Sequence, residues 1–129
     1  MRAADTNVVV RYLVADDEDQ FKRVCSLFES HDVSIATSVL LETEWVLRKG
    51  YKLAKAEVVV ALRGLASTES VYVQDPLLLT RALDLAEQGL DFADALHLAG
   101  SNGCADFVSF DRALARRSAG LGTVPVNEP

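Results

Sequence analysis

The sequence predicts an α/β fold built on a short, mainly parallel sheet. Three observations carry this. Short β-type runs, among them "VSIAT" and "SVYVQ", alternate with longer stretches of helical periodicity, the order expected when helices return each strand to the side of another. Helix-end signals are well placed in "DPLLLTRALDLAEQG", where Asp75 caps, Pro76 takes the first position and Gly89 follows the last turn. No internal repeat, low-complexity tract or Pro/Gly/Ser-rich linker interrupts the 129 residues, so 1–129 is expected to form a single domain with its own core.

Residues 2–5 leave room only for a very short strand. "TNVVVRYLV" then reads as strand by its valines, or equally as a helix opening just after Asp5. Acidic "DDEDQ" reads as a solvated turn before the helix "FKRVCSLFES", in which Phe21, Val24, Cys25 and Phe28 make a stripe at helical spacing. "VSIAT" (33–37) is a strand closed by Thr37 and Ser38, both good N-cap residues. The helix "SVLLETEWVLRKG" follows, stopped by Gly50 with Arg48 and Lys49 in its last turn. Next come a helix over "KAEVVVALRGLAS", the strand "SVYVQ", the Pro76 helix and a helix over "DFADALHLAGSNG". The chain closes with a strand in "ADFVSF", a helix over "DRALARRSAG" and a short strand in "GTVPVN".

Half the residues are hydrophobic and a quarter charged, an ordinary globular composition rather than a disordered one. No apolar run approaches a membrane span, since Val8–Val10 is broken at once by Arg11, and the N-terminus lacks a signal-peptide layout. A cytoplasmic protein without membrane contact is expected. Cys25 and Cys104 have neither CxxC nor Cys/His spacing, so two buried, reduced thiols are expected rather than a disulfide or a zinc site. The net charge of −6 is the wrong sign for a protein that merely grips nucleic acid.

Four carboxylates stand at positions where an acid is either costly or well aimed. Asp5 and Asp111 each follow a strand and precede a helix, the end of a parallel sheet at which ligands bind. Both would point into one crevice if their strands are neighbours. Glu42 shares a helix face with Val39, Thr43 and Val46, which places it on a mostly apolar, inward stripe, whereas Glu44 faces elsewhere and can simply be solvated. Asp94 sits early in its helix, three residues after Asp91. Each acid also has a plainer reading. Asp5, Asp91 and Asp111 can be helix caps, Asp94 can favour the positive end of its helix, and Glu42 can pair with Arg48. Converging acids would repel one another and raise each other's pKa values, a conflict that a hard divalent cation removes. Oxygen ligands alone favour Mg²⁺ or Mn²⁺ over zinc, and one or two such ions can activate water against a phosphodiester. Two of them would also bring the counted charge of −6 to about −2.

The order of "DTNVVVRYL", "SVLLETEWVLRKG", "LDFADALHLA" and "FVSFDRAL" strongly resembles a PIN-domain nuclease, and more closely the VapC-type toxins of toxin–antitoxin pairs. The resemblance covers essentially the whole chain. It implies an α/β/α sandwich around a short parallel sheet and a Mg²⁺- or Mn²⁺-dependent endoribonuclease. The family's acidic quartet falls on Asp5, Glu42, Asp94 and Asp111; Thr6 and Asn7 complete the first motif, Ser109 precedes the last acid by two, and Asp91 matches a further acid. Thr6 and Ser109 would orient carboxylates or waters. It further implies an RNA substrate, a small separately encoded VapB-like antitoxin and a homodimer, with the apolar-rich helices 38–49 and 55–66 as its candidate surface. His31 and His97 read as structural, Trp45 as core or interface, and Arg116 and Arg117 as phosphate contacts or plain surface charge. Two competing functions are an RNA-processing nuclease of the same family and a non-catalytic α/β binding module whose acids are caps and ion pairs.

Overall fold

The computed structural model describes residues 1–129. In chain order the elements are β1 (Arg2–Ala3), α1 (Thr6–Val14), α2 (Glu18–Ser30), β2 (Val33–Ile35) and α3 (Thr37–Trp45), which runs on as a π-helical turn Val46–Gly50. They continue with α4 (Lys55–Ala66), β3 (Val71–Val73), α5 (Pro76–Glu87), α6 (Phe92–Gly100), β4 (Phe107–Val108), α7 (Arg112–Ser118) and β5 (Val126–Asn127). The chain divides into two compact units, Met1–Pro76 and Leu77–Pro129.

In the first unit β1, β2 and β3 form a parallel sheet in that order, with Arg2 beside Val33, Val33 beside Val71 and Ile35 beside Val73. β2 is central, and Val33 and Ile35 are fully buried, as suits a strand covered on both faces. "TNVVVRYLV" is helix, not strand. It buries Val9 and Val10, and Tyr12 lies against Phe28 of α2 with ring centroids 4.4 Å apart. α1 ends on Ala15 at φ 58°, whose N–H closes the last turn on the Arg11 carbonyl. α4 carries Val58, Val59, Leu62 and Leu65 into the core despite its valines, since packing outweighs a small propensity deficit.

The second unit packs α5 through Leu79, Ala82, Leu83, Leu85 and Ala86, and α6 through Phe92, Ala95, Leu96 and Leu98. Gly89 adopts φ +107° between these helices, a conformation open to glycine. β4 and β5 form a parallel pair, with Phe107 beside Val126.

Several expectations are corrected. β1 and β4 lie in separate hydrogen-bonded sheets, so the strands before Asp5 and Asp111 are not paired neighbours. α2 opens earlier than expected, at Glu18 under an Asp17 cap. Of the acids in "DDEDQ", Glu18 and Asp19 therefore fall in its first turn, where the helix's positive end favours them, and Asp16 lies before it, paired with Arg11. Thr37 is the first helical residue, not the cap: Ala36 takes the N-cap without a side-chain bond, and the Gln74 side chain accepts the Thr37 N–H at 3.0 Å. Both cysteines are free, but Cys25 is half-buried and Cys104 exposed in the turn after α6. No helix is long and apolar enough to cross a membrane.

Candidate active site

A two-residue strand delivers the chain to Asp5, the N-cap of α1, at extended backbone angles. Its Oδ1 accepts the adjacent Thr6 N–H at 2.8 Å. The other aspartate caps behave differently. Asp17, Asp91 and Asp111 each accept the amide three residues on, from Gln20, Asp94 and Leu114, at 3.0, 3.3 and 3.0 Å. Asp5 is exposed and turned toward the start of its own helix, with one carboxylate oxygen free of protein donors. It lines a groove of about 290 Å³ together with Thr6, Asn7, Arg11, Glu42 and Tyr51.

Glu42 reaches this groove for a reason other than the one the sequence offered. It is exposed, not set on an inward stripe. The buried face of α3 and the turn after it is Leu40, Thr43, Glu44 and Leu47, one position round from the expected stripe. Glu44, expected in solvent, is only 4% exposed and bonds Arg48 at 2.9 Å, so Arg48 serves Glu44 rather than Glu42. Trp45 is 57% exposed, which removes the core reading for it.

The wall opposite is a polar network. Arg11 donates to Gln20 Oε1 at 2.6 Å, to Asp16 Oδ1 at 3.1 Å and to the Tyr51 hydroxyl at 2.8 Å, while that hydroxyl donates to Asp16 Oδ2. The Tyr51 bond, then the Asp16 carboxylate, push the Arg11 pKa further up. Sequence reasoning did not assign Tyr51 or Arg11 a role in the site. The one available signal was an arginine inside an otherwise apolar helix. Thr6 is 7% exposed, and its hydroxyl has no hydrogen-bond partner. The bond from Thr6 to the Asp5 carboxylate comes from its backbone N–H.

In the second unit Asp94 sits half-buried in the first turn of α6 beneath the Asp91 cap. Desolvation raises its pKa, and repulsion from Asp91 and Asp111 raises it further, against attraction from His97 and Arg117. Asp111 caps α7 and is exposed. Ser109 acts on its backbone rather than its carboxylate, accepting the Asp111 N–H at 3.0 Å while its own N–H bonds the Asn127 carbonyl. His97 is exposed and stacks on Phe107 at 6.2 Å, consistent with a structural role. Arg117 lies within electrostatic range of Asp94, so it is more than scattered surface charge.

In each unit the candidate donors are oxygen groups, the kind a hard cation takes: Asp5 and Glu42 in the first, Asp94 with Asp91 and Asp111 in electrostatic range in the second. Neither unit by itself gathers three His, Cys, Asp or Glu side chains at metal-holding spacing. A family model described as PIN domain matches residues 3–119. No curated protein matches the chain.

Proposed function

Because the chain belongs to the PIN-domain family, we propose that it is a Mg²⁺- or Mn²⁺-dependent endoribonuclease whose acidic ligands are Asp5, Glu42, Asp94 and Asp111. The observation that carries this reading is the groove shared by Asp5 and Glu42, two exposed carboxylates brought together from the cap of α1 and from α3. At Asp94, burial and two neighbouring acids raise the pKa, which a bound cation would oppose. Bound metal, one ion or two, supplies charge neutralisation at the phosphate and activation of water.

The chain's own groups do the positioning. The Thr6 amide fixes the Asp5 carboxylate, and the Asp91 cap and Ser109 set the helix starts that carry Asp94 and Asp111. Arg11, held by Tyr51 and Asp16, contributes a fixed positive charge to the Asp5–Glu42 groove, with Asn7 beside it. Arg117 supplies a second positive charge near Asp94. No nucleophilic side chain is needed.

The finer reading is a VapC-type toxin acting in the cytoplasm. A VapB-like antitoxin would silence it by laying an arginine-bearing segment over the acidic groove, a pairing that exposed carboxylates such as Asp5 and Glu42 suit. Trp45 and Val60, 57% and 70% exposed on α3 and α4, support a homodimer through those helices.

Incubating the protein with single-stranded RNA and Mn²⁺ tests the reading. Cleavage should stop with EDTA and slow by roughly a hundredfold or more in Asp5→Asn, Glu42→Gln, Asp94→Asn and Asp111→Asn. Unchanged rates, or unchanged Mn²⁺ affinity in Asp5→Asn and Asp94→Asn, would sink it. Expression should arrest growth, and Asp5→Ala should not; equal toxicity would remove catalysis as the cause.

A further inference from the structure

Beside the acidic groove of the first unit lies a second cleft, of about 490 Å³. Three arginines line it, Arg2 on β1, Arg11 on α1 and Arg23 on α2, together with the amides of Asn7 and Gln20 and no carboxylate. Asn7 and Arg11 line both cavities, so the basic cleft adjoins the groove of Asp5 and Glu42. In a chain of net charge −6 such a run of positive lining is not a by-product of composition. We propose that this cleft is the track for the phosphate backbone of the RNA strand that enters the acidic groove. The proposal rests on the nuclease reading and adds to it where the strand flanking the scissile phosphate is held.

The arginines are available for this in different degrees. Arg2 takes part in no ion pair. Arg23 meets Asp19 only at 3.9 Å, with both side chains more than three-quarters exposed, a pair that water largely screens. Arg11 is the fixed point, pinned by Gln20, Asp16 and Tyr51 where the cavities meet. The floor of Val8, Val24 and Leu27 offers apolar surface to a ribose or base. The Gln20 carbonyl is occupied by Arg11 and leaves the amide NH₂ as a donor, while Asn7 offers both functions to a base edge or a 2′-hydroxyl. An acidic peptide would also fit the arginines, but the apolar floor and the free amide groups of Asn7 and Gln20 offer it nothing that they do not offer better to ribose and base. A phosphodiester strand is therefore the favoured occupant.

The test uses the Mn²⁺-loaded protein and a fluorogenic single-stranded oligoribonucleotide over a series of salt concentrations. Arg2→Ala/Arg23→Ala should raise KM roughly tenfold, with kcat changing by no more than about twofold. Loss of two phosphate contacts should flatten log KM against log salt by about 1.4. Arg2→Lys/Arg23→Lys should keep the parent slope, because point charges suffice, and all three proteins should melt alike. A double alanine variant with parental KM and slope overturns the proposal while leaving the nuclease reading intact. If the parent cuts no RNA the nuclease reading falls, and anisotropy of the same oligonucleotide then decides the cleft: equal affinity of parent and double alanine variant overturns it. Tighter binding of a polyglutamate peptide than of RNA at the cleft overturns it as well.

Discussion

At Asp94 burial and like charge act in one direction, so the folded protein binds a proton there more tightly than the unfolded chain does. Linkage then gives a definite sign. The metal-free protein is favoured while Asp94 is protonated, and that contribution is lost as pH rises from about pH 4 through the raised value. Asp94→Asn should therefore raise the melting temperature of the EDTA-treated protein at neutral pH, with the gain closing below about pH 4. Adding Mg²⁺ should raise the parent's melting temperature more than the variant's. A variant that melts lower than the parent at neutral pH in EDTA would show that Asp94 is stabilised by its neighbours. Asp94 and Asp111 were readable as acids near helix starts. Their mutual repulsion was not, because it depends on how α6 and α7 are placed.

α3 shows why a helix can be recognised while its inward face is not. "TSVLLETEW" has hydrophobic residues on more than one side, and stripes through Val39–Val46 and through Leu40–Leu47 both satisfy helical spacing. Packing in the first unit selected the second, which buries Thr43 and Glu44 and leaves Glu42 in the groove. The two glutamates should therefore separate stability from function. Glu44→Gln, which weakens a buried pair to Arg48, should cost about 2 kcal/mol in urea denaturation and leave metal binding in place. Glu42→Gln should stay within about 0.5 kcal/mol of the parent and abolish cleavage. A reversed pattern would return Glu42 to the role of a structural ion-pair partner. Ala15 is a second local case. It holds a left-handed angle, so Ala15→Gly should stabilise by about 0.5 kcal/mol despite the extra freedom glycine has when unfolded.

For the whole molecule the question is how a chain of charge −6 handles a polyanion. The proposed cations at the acids and the proposed arginine-lined cleft would answer it without any basic surplus. The assembly is open to the same kind of test. If α3 and α4 form the dimer surface, Trp45→Glu should shift sedimentation from dimer to monomer with little change in monomer stability, since the ring is largely exposed. A parent that sediments as a monomer at micromolar concentration would remove that surface. Local signals were enough to determine the alternation of helices and short strands, the caps at Asp91 and Asp111, the stop at Gly89 and the positions of the four acids. Each follows from residues a turn or less apart. Tertiary structure alone decided that Glu44 rather than Glu42 is buried, that Arg11 and Tyr51 wall the groove, and that Arg2 and Arg23 share a cleft. Those facts join residues up to forty positions apart, and no local preference can fix which side of a helix its neighbours will cover.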